Sequence, residues 1–247
     1  WGTVVAQYGG LLLGLLFFVA KFRQYLKQIQ TSIIWQIEEF GAFLKINRDI
    51  FIRTVCLTFA FAFFYNQSSA GGEMILAANV ILLQFLNWMS YAVDGFGYAA
   101  ESLVGKYRGA NDFPQTKRAI DYSFYWGMGL AVLFSLLYGM FGMQIVELFS
   151  EEADVVGVAA PFLIWMVVLP IAGTPSYIWD GVYIGLTASQ AMRNSMLMSL
   201  VVYVVVYFSV KNWLHPIHAL WLSLVVFLFA RGVIQWLIFR KRGWKID

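Results

Sequence analysis

Apolar runs of roughly membrane-crossing length recur along the whole chain, and short polar stretches separate them. A membrane helix needs about 20 mostly apolar residues. Seven segments qualify: 2–20, 51–69, 74–104, 120–142, 157–187, 195–210 and 217–239. Turn-forming or polar stretches bracket them, such as NQSSAGGE (66–73), RGANDFPQTKR (108–118) and SEEAD (150–154). The runs far exceed the roughly ten-residue alternating strands of an outer-membrane barrel. The expected fold class is therefore all-α, a polytopic transmembrane helix bundle.

One segment follows a different rhythm. In 23–50 the apolar residues Leu26, Ile29, Ile33, Ile37, Phe40 and Leu44 recur every three or four positions. That spacing predicts an amphipathic helix lying on the cytoplasmic face of the membrane and joining two halves of a larger protein. The division expected is thus 1–22, a linker over 23–50, and a bundle over 51–247.

Composition supports this class. Hydrophobic residues make up 60% of the chain, charged residues 13%, and mean hydropathy is +0.68. A soluble domain carries about 25% charged residues, so this chain lacks the charge to wet a globule. The net charge of +3 is too small to indicate a nucleic-acid partner. Its distribution is more telling. Lys21, Arg23, Lys27, Lys45, Arg48 and Arg53 follow the first span or open the second; Lys106, Arg108, Lys117 and Arg118 follow the third. Arg193 follows the fifth, and Arg240, Lys241, Arg242 and Lys245 follow the seventh. The alternate connections hold only Lys211 and the acids Glu73, Glu147, Glu151, Glu152 and Asp154. Positive charge stays cytoplasmic, which predicts residue 1 outside and the carboxyl terminus inside. The chain opens on Trp1 and runs straight into an apolar segment with no basic leader or cleavage site, so a missing beginning is expected rather than a signal peptide.

Enzyme chemistry finds no foothold. Cys56 stands alone in an apolar segment, and His215 and His218 flank Pro216 with no further His or Cys nearby. No Gly-rich phosphate loop, nucleophile–base pair or metal-ligand set occurs, so neither catalysis nor a cofactor is expected.

The informative residues are polar ones inside the spans. Gln84, Asn87, Tyr91, Asp94, Tyr98 and Glu101 fall three or four apart, on one helical face. A carboxylate at a helix centre costs about 2.5–3.5 kcal/mol on insertion scales, so such a stripe faces a bundle or a watery groove. The fifth span repeats the theme: Ser176, Asp180, Tyr183 and Thr187 share a face, and Pro170 and Pro175 are expected to interrupt the helix just before it. Two roles stay open for Asp180. It takes up a coupling ion, H+ or Na+, which is the expectation here, or Arg231 or Arg53 holds it as part of the frame. Ser195, Ser199, Tyr203 and Tyr207, with Trp88, Trp165 and Trp179, would add aromatic and polar walls suited to amphiphilic substrates. Gly181 and Gly185 form G-x-x-x-G, which close packing against a neighbour explains.

The stretches LAANVILLQFLNWMSYAVDGFGYAAESLVGKYRGAND (76–112) and PSYIWDGVYIGLTASQAMRNSM (175–196) resemble the multidrug and toxic compound extrusion (MATE) transporters, most nearly their DinF-like branch. The resemblance implies twelve helices in two lobes, of which this chain would supply the sixth helix, the inter-lobe linker and the second lobe. It implies an antiporter of the bacterial inner membrane that exports organic, often cationic compounds in exchange for H+ or Na+. Its partners would be membrane lipids, small organic substrates and the amino-terminal lobe. By that resemblance Asp180 matches an aspartate of the sodium-coupled branch. The acid which that branch carries three helices earlier has no counterpart in FIRTVCLTFAFAFFYN (51–66). Two alternatives compete. A lipid-linked saccharide flippase needs several cavity cations, where only Arg231 and Arg53 qualify. A seven-helix receptor or light-driven pump would match the span count, but a retinal protein needs a lysine that 217–239 lacks.

Overall fold

The computed structural model describes residues 1–26 and 37–243; of residues 24–26, 37–40, 42 and 242 it describes the backbone only. The chain divides into two compact units, Trp1–Lys45 and Ile46–Asp247. The first contains helix α1 (Gly2–Leu26), which carries no charge before Lys21 and leaves Leu11, Leu12 and Phe17 exposed.

The second unit is built on seven helices: α2 (Ile37–Ala70, entering this unit at Ile46), α3 (Glu73–Gly109), α4 (Phe113–Phe149), the short α5 (Ala153–Ala159), α6 (Leu163–Gly185), α7 (Ser189–Val210) and α8 (Pro216–Arg242). No strand occurs among the described residues. In hydrocarbon every backbone amide must bond within its own segment, and long apolar runs meet that demand as helices.

Local chemistry sets the joints. Gly72 adopts φ 103°, which turns α2 into α3 within two residues. Asp112 caps α4 by accepting from the Gln115 amide at 3.1 Å, with Pro114 in the first turn. His215 caps α8 by accepting from the Ile217 amide at 3.4 Å, ahead of Pro216.

All seven expected spans are present, as Gly2–Arg23, Phe43–Ala70, Glu73–Gly109, Phe113–Phe149, Ala153–Gly185, Ser189–Val210 and Pro216–Lys241. The multi-pass membrane character thus rests on both pattern and structure. Helices α3 and α4 are longer than expected because their polar ends stay helical beyond the apolar run. Two expectations are corrected. Residues 27–36 of the anticipated linker lie outside the described residues, but 37–50 form no separate surface helix: they continue unbroken into α2, since no proline and only Gly41 fall between Ile37 and Ala70. Pro170 and Pro175 do not interrupt α6 either, which runs helical through both. Each proline withdraws one amide donor, and packing on three sides holds the helix together.

Helix α6 is the hub of this unit, meeting α3, α4 and α8 along its length. Its approach to α3 is set by glycines. A Cβ on Gly181 would lie 2.0 Å from the Gly97 carbonyl oxygen, and one on Gly185 would lie 2.7 Å from that of Glu101. The G-x-x-x-G pair is therefore a backbone contact, as its spacing predicts. Against α8, a Cβ on Gly232 would come within 3.1 Å of Pro175. The interior is filled by Trp221, Phe85, Met89, Met166, Leu169 and Phe227, all under 2% exposed. Outward faces carry Leu133, Leu136, Val201, Val205 and Leu237, the apolar coat of a lipid-facing bundle.

Candidate functional site

Asp180 lies in α6 beside the glycine contact, where α3 comes closest. Its side chain is 10% exposed. Oδ2 accepts from Arg231 Nη2 of α8 at 2.9 Å and also from Arg53 Nη2 of α2. Oδ1 accepts from Gln235 Nε2 of α8 at 2.7 Å. One carboxylate thus ties together three helices. The Arg231 side chain is 2% exposed and lies over the Tyr177 ring, 5.4 Å from its centroid. The cation–π contact supplies part of the solvation that burial removed.

Two positive charges on one negative leave the trio with a net charge of +1. The balancing acids stand on α3. Asp94 and Glu101 line a cavity of about 280 Å³ together with Arg53, Tyr177, Asp180 and Arg231. Neither Asp94 nor Glu101 makes a side-chain hydrogen bond or ion pair among the described residues. The Nε atoms of Arg53 and Arg231 and Oε1 of Gln235 are buried there without a partner among the described residues. The cavity thus has a saturated carboxylate on one wall and two open ones on the facing wall.

The other expected residues separate by place. The α3 stripe splits, because the 17 steps from Gln84 to Glu101 extend about 25 Å along the axis, too far for one cavity. Asn87 donates to Gln84 Oε1 at 3.3 Å, and Tyr91 is 75% exposed away from the cavity. Tyr98 lines the cavity between the two acids. On α6 the face toward the cavity is Tyr177, Asp180, Gly181 and Ile184. Ser176 and Tyr183 lie off that lining: Ser176 Oγ donates to the Gly173 carbonyl of its own helix at 2.8 Å, and Tyr183 Oη donates to the Gln235 carbonyl of α8 at 2.6 Å. Thr187 lies beyond the helix end at φ 58°. Asp180 sits at the edge between the two faces and so reaches both neighbours.

The anticipated aromatic walls also lie elsewhere. Ser195 and Ser199 donate to carbonyls of their own helix at 2.8 and 2.7 Å. Tyr203 packs on Phe63 and Phe227, and Tyr207 Oη donates to Gln67 Oε1 at 2.9 Å. Trp165 Nε1 donates to His218 Nδ1 at 2.9 Å, Trp88 lies against Phe149, and Trp179 against Phe124 and Phe239. Apart from Trp88, which is 42% exposed, these side chains fill space between helices.

Two features escaped the sequence reading. Gln235 was visible only as the i+4 neighbour of Arg231 in an apolar helix, a spacing that puts both on one face. Asp49 is fully buried and accepts from Arg193 Nη1 at 2.5 Å and Ser189 Oγ at 3.2 Å, pinning α2 to the start of α7. It drew no notice because it stands among surface charges in INRDIFIR.

The MatE family profile matches residues 50–210. The chain is 34% identical over 245 residues to the DNA damage-inducible protein F of Escherichia coli (strain K12), covering 98% of this chain and 52% of that protein. A crystal structure of a variant of the MATE transporter VcmN from Vibrio cholerae superposes with a TM-score of 0.81 at 16% identity, over 95% of this chain and 55% of that one. The chain spans about half the length of both.

Proposed function

Since the chain belongs to the MatE family, we propose that it forms the carboxyl-terminal lobe of an exporter that moves organic cations out of the cell against H+ or Na+. Transport proceeds by alternating access, with an amino-terminal lobe as the other half of the pathway. The protein lies in the inner membrane of a bacterium with its carboxyl terminus cytoplasmic, in keeping with the Lys and Arg asymmetry of the connections.

The carrying observation is the uneven use of three acids in one cavity. Asp180 is engaged by Arg53, Arg231 and Gln235, whereas Asp94 and Glu101 face the same space unengaged. A sodium ion at Asp180 would have to displace two guanidinium groups from its oxygens. Asp94 and Glu101 are seven residues apart on one helix, about 10 Å in rise, so they do not chelate a single ion. Proton exchange at Asp94, with organic cations attracted to the same open carboxylates, fits this arrangement better. Asp180 then holds α2, α6 and α8 in register. The flippase reading needs free cations for a pyrophosphate, and both arginines are committed to Asp180.

The test is efflux of organic cations by the full-length protein in everted vesicles, with pH and sodium gradients imposed separately. Efflux driven by the pH gradient and lost in Asp94→Asn supports the reading. Absence of efflux for every organic cation tried, or undiminished coupling in Asp94→Asn, overturns it.

A further inference from the structure

A second cavity, about 590 Å³, opens between the carboxyl-terminal half of α8, the start of α4 and the end of α6. Phe124, Trp179, Trp236 and Phe239 form its walls, and Lys117 and Asp121 stand on its α4 side. Its lining shares no residue with that of the Asp180 cavity. We propose that this groove binds a phospholipid whose headgroup carries both a phosphate and a primary ammonium, that is, phosphatidylethanolamine.

Depth is the first argument. Helix α4 has 37 residues, about 55 Å at 1.5 Å per residue, against a hydrocarbon layer of about 30 Å. With the helix centred, about 12 Å at each end lies among headgroups. Lys117 and Asp121 are four and eight residues from its start at Phe113, about 6 and 12 Å in. The charged pair is thus at headgroup level and the aromatic walls lie at the top of the acyl region. Trp236 is 45% exposed with Arg240 over its ring at 5.4 Å, the amphipathic placement of an interfacial tryptophan.

Charge complementarity is the second argument. Lys117 and Asp121 are exposed, one helical turn apart, and neither makes an ion pair among the described residues. Lysine precedes the acid here, the weaker order for a pair at that spacing, so the two are only weakly drawn to each other. Left apart beside an apolar groove, they offer a donor for phosphate and an acceptor for ammonium. A headgroup with only negative charge would meet Asp121 unfavourably. A quaternary ammonium has no N–H to donate to it.

The experiment is native mass spectrometry of the full-length protein in mild detergent with equal amounts of phosphatidylethanolamine, phosphatidylglycerol and phosphatidylcholine of identical chains. The expected result is several-fold preferential retention of phosphatidylethanolamine. Asp121→Asn should erase its advantage over phosphatidylglycerol, Lys117→Gln should lower both alike, and Trp236→Ala should loosen all three. Ratios within one folded population are independent of expression. Equal retention of the three lipids, retention of none, preference for phosphatidylglycerol, a bound peptide in place of lipid, or an unchanged ratio in Asp121→Asn overturns the proposal.

Discussion

The second unit buries two aspartates against arginines, and they differ in what surrounds them. Asp49, in the first half of α2, meets Arg193 and Ser189 in the first turns of α7, with its side chain 1% exposed. Asp180 meets two arginines and a glutamine, with open volume and two further acids alongside. A buried carboxylate is costly and needs partners in either place. At the second, the neighbourhood holds a cavity and two acids without a hydrogen bond or ion pair among the described residues. The contrast teaches that a buried acid marks a site through the unengaged groups around it.

The comparison can be broken most severely at the helix contact beneath Asp180. Gly181→Leu places a side chain where even a Cβ would lie 2.0 Å from the Gly97 carbonyl oxygen. Loss of monodisperse protein in size-exclusion chromatography is expected, and a stable, active variant would refute the close contact. Next come the pairs themselves. Asp180→Ala and Asp49→Ala each leave buried arginine charge without its partner, a loss of about 3–5 kcal/mol, visible as a lower Tm in detergent. The two then diverge on repair. Asp49→Ala with Arg193→Met should regain most of the loss, whereas Asp180→Ala with Arg231→Met should not, because Arg53 stays unpaired. Equal repair at both would contradict the three-helix tie.

A smaller effect on stability with a selective effect on transport is expected at the open acids. Asp94→Asn should keep the wild-type Tm while pH-driven efflux falls to the level of empty vesicles. Glu101→Gln, nearer the helix end, should reduce efflux only in part. A Tm drop in Asp94→Asn comparable to that of Asp180→Ala would place both acids in the frame. The smallest change is Tyr177→Leu, which removes the ring under Arg231 and should cost about 1–2 kcal/mol; Tyr177→Phe keeps the ring and should be close to neutral by the same Tm measurement.

Much of the site was legible before any coordinates. Asp180, Asp94, Glu101, Arg53 and Arg231 stand out because charge inside an apolar run is rare and expensive. Gln235 and Asp49 did not stand out: a neutral amide raises no such flag, and an acid among basic residues at a helix end looks solvated. The rotational phase of α6 was also off. Ser176 and Tyr183 share a face with each other, but hydropathy is uniform around that helix, so periodicity had no polar side against which to be aligned.

The sequence by itself determined the class, the seven spans and their number of reversals, and which residues carry charge into the membrane. These follow from hydrophobic length and from the cost of burying charge, which act on each segment alone. Only the tertiary structure decided that Asp180 is shared by Arg53, Arg231 and Gln235 while Asp94 and Glu101 stay open. That choice depends on how the helices rotate and approach, and the approach is set by backbone contact at Gly97, Gly181 and Gly185. Pairings between residues 127 and 51 positions apart arise from packing, which no local pattern encodes.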